Sequence, residues 1–182
     1  MLTINFSPFP TLYTNRLCLR RIVKEDAPTF FELRTNELAM KYIDRPRPAS
    51  IDDTKAFIQK IDTNIMENQS IMWGITTLEN NTLIGTIGYH KIDPKNYRAE
   101  VGYMLSPQYW KSGFMSECLT TILPFGFNRL NFHSIEADIN PENNASRQLL
   151  KKLGFKQEAY FKESYYFNGL FLDKEIYSLL NK

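Results

Sequence analysis

Two periodicities of apolar residues divide the chain into elements. RLCLRRI (16–22) places Leu17, Leu19 and Ile22 among polar neighbours with the alternation of a half-buried strand. KEDAPTFFELRTNELAMKYI (24–43) then carries its apolar residues at helical spacing, opening near Glu25 and Asp26 and broken by IDRPRP. Ser50, with Asp53 three residues on as the acidic member of a cap, predicts a second helix through DTKAFIQKIDTNIME. From there strands dominate. IMWGITTL (71–78), the turn residues ENN, and LIGTIGYHKI (83–92) form a hairpin pattern, and AEVGYML (99–105) follows the break at DPKN as a third adjacent antiparallel strand. A helix is expected from about Gly113, bent or split by Pro124 and Gly126. HSIEADI (133–139) reads as a strand with Glu136 and Asp138 on one face and Ile135, Ala137 and Ile139 on the other. ENNASRQLLKKLGF is a short helix stopped at Gly154, and two last strands meet at Asn168-Gly169, a strong hairpin signal.

Composition narrows what such a chain can do. At 182 residues, with 43% hydrophobic and 23% charged residues, it is expected to form a single globular domain over 1–182. A net charge of +2, with no Lys/Arg run longer than two, lacks the electrostatic footprint of a nucleic-acid binder. Cys18, Cys118, His90 and His133 have no metal-ligand spacing, so no metal site is expected. The opening MLTINFSPFP resembles neither a signal peptide nor a membrane span, and a reduced, cytoplasmic protein is the expectation.

The chemistry begins at YWKSGFMSEC (109–118). A nucleotide-triphosphate loop needs glycine directly before its lysine, but Trp110 precedes Lys111; a dinucleotide fingerprint needs three glycines, and this turn has only Gly113. What remains is a run of backbone N–H groups from Lys111 to Ser116, opening a helix where the dipole favours an anion such as pyrophosphate. The alternative is a plainly capped helix start. A second stretch, NPENNASRQLLKKLGF (140–155), adds a strand end, an Asn-rich opening and a closed helix.

Together these segments resemble the GNAT superfamily of acyl-CoA-dependent N-acetyltransferases, and within it the ribosomal-protein N-terminal (alanine/serine) acetyltransferase branch. TNRLCLRRIVKEDAPTFFEL is similar to that branch's opening, AEVGYMLSPQYWKSGFMSEC to its acetyl-CoA segment, NPENNASRQLLKKLGF to its second cofactor segment, and YYFNGLFLDKEIYSLL to its closing hairpin. The resemblance implies an α+β fold: a mixed, mostly antiparallel sheet of about seven strands flanked by helices, with the fourth and fifth strands splayed. Pantetheine would enter that gap and bond the free strand edge at Met104, Leu105 and Ser106. The pyrophosphate loop would comprise Trp110, Lys111, Ser112, Gly113, Phe114, Met115 and Ser116. Lys111-Ser112 stands where the branch commonly has Gly-Lys, a replacement that matters if position 111 needs positive φ. Asn143 and Ser146 match positions near pantetheine and the thiol, although both also suit helix capping.

The same resemblance implies three catalytic candidates. Glu100 falls where histone-acetyltransferase relatives place a general base, and Asp138 where another N-terminal acetyltransferase group usually has Glu. Leu150 occupies the position of a tyrosine acid found in some relatives, leaving Ser146 as donor of the thiolate proton. Neither His90 nor His133 falls on a family catalytic position. The implied activity is acetyl-CoA-dependent acetylation of a primary amine, with a protein N-terminus such as that of a ribosomal protein favoured. A small amine (polyamine, aminoglycoside or amino-acid analogue) and a CoA-binding module without turnover remain alternatives, and homodimerisation stays open. Asp44, Asp52, Asp53, Glu163 and Asp173 could attract a cationic acceptor or be ordinary surface charge.

Overall fold

The structure, a computed structural model, describes residues 1–181. Its strands are β1 (Leu12–Tyr13), β2 (Leu17–Arg21), β3 (Ile71–Thr77), β4 (Gly85–Asp93), β5 (Arg98–Leu105), β6 (Ser134–Ile139), β7 (Lys156–Phe167) and β8 (Leu170–Leu180). They form one eight-stranded sheet in the order β1-β2-β3-β4-β5-β6-β8-β7. Every neighbouring pair is antiparallel except β5 and β6. The eighth strand, beyond the seven expected, is β1, whose two residues are too short to show an alternation.

Helices cover both faces of the sheet. α1 (Ala27–Thr35) and α2 (Glu37–Met40) arise from the single helical segment expected over 24–43. The break is Asn36, which turns extended at ψ 121 and uses its side chain to accept the Ala39 N–H at 3.0 Å. Asparagine gains more as an N-cap than inside a helix, so it divides the segment. α3 (Ile51–Met66) opens with the expected reciprocal cap: Ser50 Oγ accepts the Asp53 N–H at 3.1 Å, and Asp53 accepts the Ser50 N–H at 2.9 Å. Arg20 of β2 grips Asp26, at the start of α1, through two contacts of 2.8 and 2.7 Å.

The opposite face is aromatic. Trp73 and Tyr89 are fully buried and meet edge to face at 6.2 Å, with Phe125 against Trp73 at 5.6 Å. α4 (Phe114–Pro124) lies on this face, where the Tyr89 hydroxyl donates to the Ile122 carbonyl at 2.6 Å. Pro124 ends α4 because it has no N–H to continue the ladder, and the chain proceeds as a π-helical turn, Phe125–Arg129. Gly126 in that turn passes so close that a Cβ would stand 2.6 Å from the Tyr89 hydroxyl. α5 (Asn144–Lys152) closes with N–H bonds from Gly154 to Lys151 and from Phe155 to Leu150, each 3.0 Å, the paired pattern of a left-handed stop.

Candidate active site

Strands β5 and β6 pair in parallel only at Arg98–Ser134, Ala99–Ile135 and Glu100–Glu136. Beyond Glu100 they part: β6 stays on β8 to Ile139, while β5 stays on β4 to Leu105. The β6-facing edge of β5 from Val101 to Leu105 is left without a strand partner. The first turn of α5 comes up against this gap. Asn143 caps it by accepting the Ser146 N–H at 3.1 Å, and the Ser146 hydroxyl, itself buried, lies 2.6 Å from the hydroxyl of Tyr103 on β5. Burial pushes the Tyr103 hydroxyl up to about 12, against a smaller opposing effect of the Ser146 hydrogen bond. A tyrosine thus reaches Ser146 from a strand, whereas the α5 position of the tyrosine acid in some relatives holds Leu150. Alternation along GYML puts Tyr103 on the aromatic face; only the tertiary structure puts Ser146 opposite it.

The loop before α4 is held at both ends. Met104 pairs with Thr86, Ser106 N–H donates to the Ile84 carbonyl at 2.8 Å, and the Trp110 indole N–H donates to the Leu105 carbonyl at 2.8 Å. Lys111 and Gly113 then adopt left-handed φ values of +59° and +82°. Among the described residues, the backbone N–H groups of Lys111, Ser112, Gly113, Phe114, Met115 and Ser116 donate to no protein acceptor; the first donor bonded within the helix is Glu117, to the Gly113 carbonyl at 3.0 Å. Arg16 braces the loop, stacking over Phe114 at 4.5 Å, donating to the Ser112 carbonyl at 3.1 Å and pairing with Glu117 at 2.7 Å. An open depression of about 650 Å³ adjoins it, lined by Gly113, Ser116, Thr120 and Lys152 among others. A row of unpaired donors at a helix start beside such a space fits a pyrophosphate.

Glu100 and Asp138 project from the other face of the sheet, as alternation places them opposite the Tyr89–Tyr103 side. Glu100 is not free. Its Oε1 lies 2.8 Å from His90 Nε2 and its Oε2 2.7 Å from Lys91 Nζ. His90 is its cross-strand partner, and Lys91 reaches it because β4 is irregular between His90 and Asp93, with Lys91 at φ +48°. Burial would raise the Glu100 pKa, but hydrogen bonds from His90 and Lys91 and their charges outweigh it and hold the carboxyl at about 2. Asp138 stands 3.5 Å from Lys174, and Glu136 pairs with Arg98. Nearby, the Tyr165 hydroxyl bonds Asp44, and burial, that bond and the charges of Asp44 and Asp138 raise its pKa. The other acidic residues are engaged locally. Asp52 pairs with Lys55, Asp53 caps α3, and Asp173 accepts from the Tyr160 hydroxyl and the Glu163 N–H. Glu163 itself stands at φ +48° in the irregular part of β7. No cluster of metal-ligating side chains occurs among the described residues, and no helix there is long and apolar enough to cross a membrane.

Comparison with known proteins bears on this geometry. Residues 16–156 match the acetyltransferase (GNAT) domain family. The chain is 36% identical to the uncharacterized N-acetyltransferase YoaA of Bacillus subtilis (strain 168), over 94% of this chain and 97% of that protein. It is 25% identical to a spermidine N(1)-acetyltransferase of Vibrio cholerae over 92% of this chain and 95% of that one. In fold it resembles RimL, a ribosomal L7/L12 alpha-N-protein acetyltransferase solved in complex with coenzyme A. The TM-score is 0.86 at 22% identity, covering 94% of this chain and 98% of the other.

Proposed function

The chain belongs to the GNAT family of N-acetyltransferases, and on that premise we propose that it moves the acetyl group of acetyl-CoA to the N-terminal α-amine of a protein such as a ribosomal protein. The observation that carries the reading is the row of unpaired N–H groups from Lys111 to Ser116, set at a helix start beside the gap between β5 and β6. Those donors would hold the pyrophosphate, with the Lys111 ammonium adding charge. The unpartnered edge of β5 would bond the pantetheine amides, as an added strand would, with Asn143, the cap of α5, a further candidate contact. When bound, acetyl-CoA supplies the activated acyl group as a thioester.

The residues of this chain then divide the proton work by face. Ser146, backed by Tyr103, stands where a hydroxyl can give a proton to the departing sulfur, and both groups are protonated at neutral pH. Glu100 and Asp138 stand on the side from which an amine would approach. One oxygen of Glu100 is already occupied by the Lys91 ammonium and the other by the His90 ring, so that carboxylate holds and orients its neighbours more readily than it accepts a proton. An α-amine suits such a site. Its intrinsic pKa of about 8, against about 10.4 for lysine, demands less of a base near neutral pH.

A small polyamine is the second reading, favoured by the spermidine acetyltransferase relative and by the carboxylates of Asp44 and Asp138 facing Tyr165. The deciding experiment is an acceptor screen of N-terminal peptides against small amines, read by thiol release from acetyl-CoA, with products mapped by mass spectrometry. Acetylation at peptide α-amines is expected. Modification confined to internal lysines or to polyamines would overturn the acceptor assignment, and acetyl-CoA binding without turnover on any amine would leave only a CoA-binding module.

A further inference from the structure

His90 reaches from β4 over β5, on the sheet face opposite Tyr103, without any motif to announce it. Its ring lies against Gly102, two residues past the last paired position of β5 and β6. A Cβ on Gly102 would meet His90 Cε1 at 2.8 Å and Nδ1 at 3.4 Å, so only glycine leaves room for the ring. Nε2 is bonded to Glu100 at 2.8 Å, whereas among the described residues Nδ1 has no hydrogen-bond partner. The side chain is 38% exposed.

We propose that His90 is the proton acceptor for the amine, taking its proton at Nδ1, and that Glu100 acts as the positioning residue that fixes the ring. This rests on the N-acetyltransferase reading above. An ionised carboxylate can only accept hydrogen bonds, so the Nε2 facing Glu100 carries the ring hydrogen. In the neutral imidazole the lone pair then lies on Nδ1, the ring nitrogen that has no hydrogen-bond partner among the described residues. Lys91 occupies the second oxygen of Glu100 at 2.7 Å, which pins the carboxylate and keeps it from turning to the amine itself. The step is a simple proton transfer. An N–H bond of the acceptor's ammonium group breaks, an Nδ1–H bond forms, and a neutral amine and an imidazolium result. The imidazolium returns its proton to solvent through the exposed side of the ring. The charged groups placed around it are Glu100 from β5, Lys91 from its own strand, and Glu136 with Arg98 beyond Glu100.

The test uses the full chain, acetyl-CoA and the best amine from the acceptor screen. His90→Gln keeps an amide donor for Glu100 but no basic lone pair; kcat should fall on the order of 10²-fold while the acetyl-CoA-induced thermal shift is unchanged. Its pH–rate profile should retain only the titration of the amine itself. His90→Ala should be equally slow and partly restored by added imidazole, a response that a purely structural histidine would not show. Glu100→Gln should lose less, about tenfold, because the base survives and only its orientation is loosened. His90→Gln turnover within about threefold of wild type, or a His90→Ala loss that imidazole leaves untouched, would overturn the assignment. Wild-type turnover is the control: if the unaltered chain acetylates no amine, the acetyltransferase reading fails first and takes this proposal with it.

Discussion

Lys111 pays for its place in the loop with backbone strain. At φ +59° a non-glycine residue loses about 1–2 kcal/mol, and this is the position where the similar branch commonly has glycine. Lys111→Gly should therefore raise stability by about 0.5–1 kcal/mol in urea unfolding, the relief being partly offset by the greater freedom of glycine in the unfolded chain. A loss of stability would show that the lysine makes a compensating contact. Glu100 carries the largest lowering of a carboxyl pKa, and its sign sets an acid limb. Its folded pKa of about 2 lies below the ordinary carboxylate range. Its contribution is thus present above about pH 4.5 and drains away as pH falls toward 2. Glu100→Gln should cost roughly 2 kcal/mol at neutral pH, discounted for the exposed Lys91, and should flatten the stability profile across that window. Unfolding midpoints measured across that acid range check it.

The helices and strands make their own demands. α4 stops at Pro124 because the ladder lacks a donor there, and the π-helical turn that follows brings Gly126 under Tyr89. Gly126→Ala would drive a methyl into the Tyr89 hydroxyl and break its bond to the Ile122 carbonyl, so a destabilisation of about 1–3 kcal/mol is expected in denaturant unfolding at unchanged m. The bridge from β5 to α5 is chemical as well as structural. Tyr103→Phe should lower kcat severalfold with little change in acetyl-CoA affinity, since Ser146 would lose the partner that resupplies its proton. An equal loss of acetyl-CoA affinity would instead assign Tyr103 to holding the gap open.

For the whole molecule, the parting of β5 and β6 is the feature to which both faces contribute. The aromatic face delivers Tyr103 and Ser146, and the opposite face delivers His90, Glu100 and Asp138. A ligand that fills the gap and satisfies the donors of Lys111 to Ser116 would bind the folded chain alone. Acetyl-CoA at a hundredfold excess over its Kd should then stabilise the fold by about 2.7 kcal/mol, read as a rise in melting temperature. No rise with acetyl-CoA or CoA would remove the cofactor site.

Whatever depends on neighbours within a few residues could be read directly from the sequence. Alternation placed seven strands, Ser50 and Asp53 announced their cap, Pro124 its break, and Asn168-Gly169 the final hairpin. The N–H row was legible for the same reason, since a helix start leaves its first donors unpaired wherever it lies. The resemblance of the loop and its companion helix supplied the GNAT fold. The rest depended on residues far apart in the chain. The break at Asn36 went unseen because a cap and a polar helix residue look alike until the chain turns. Tyr103 and Ser146 are 43 residues apart and meet only because β5 and β6 diverge. The resemblance gives Glu100 as a general-base candidate, but only strand pairing sets His90 across from it and only an irregularity in β4 brings in Lys91. Local sequence determined which elements form and where donors are left over. Tertiary structure decided which side chains share a proton, because that is a matter of a few ångströms between strands whose register no single segment encodes.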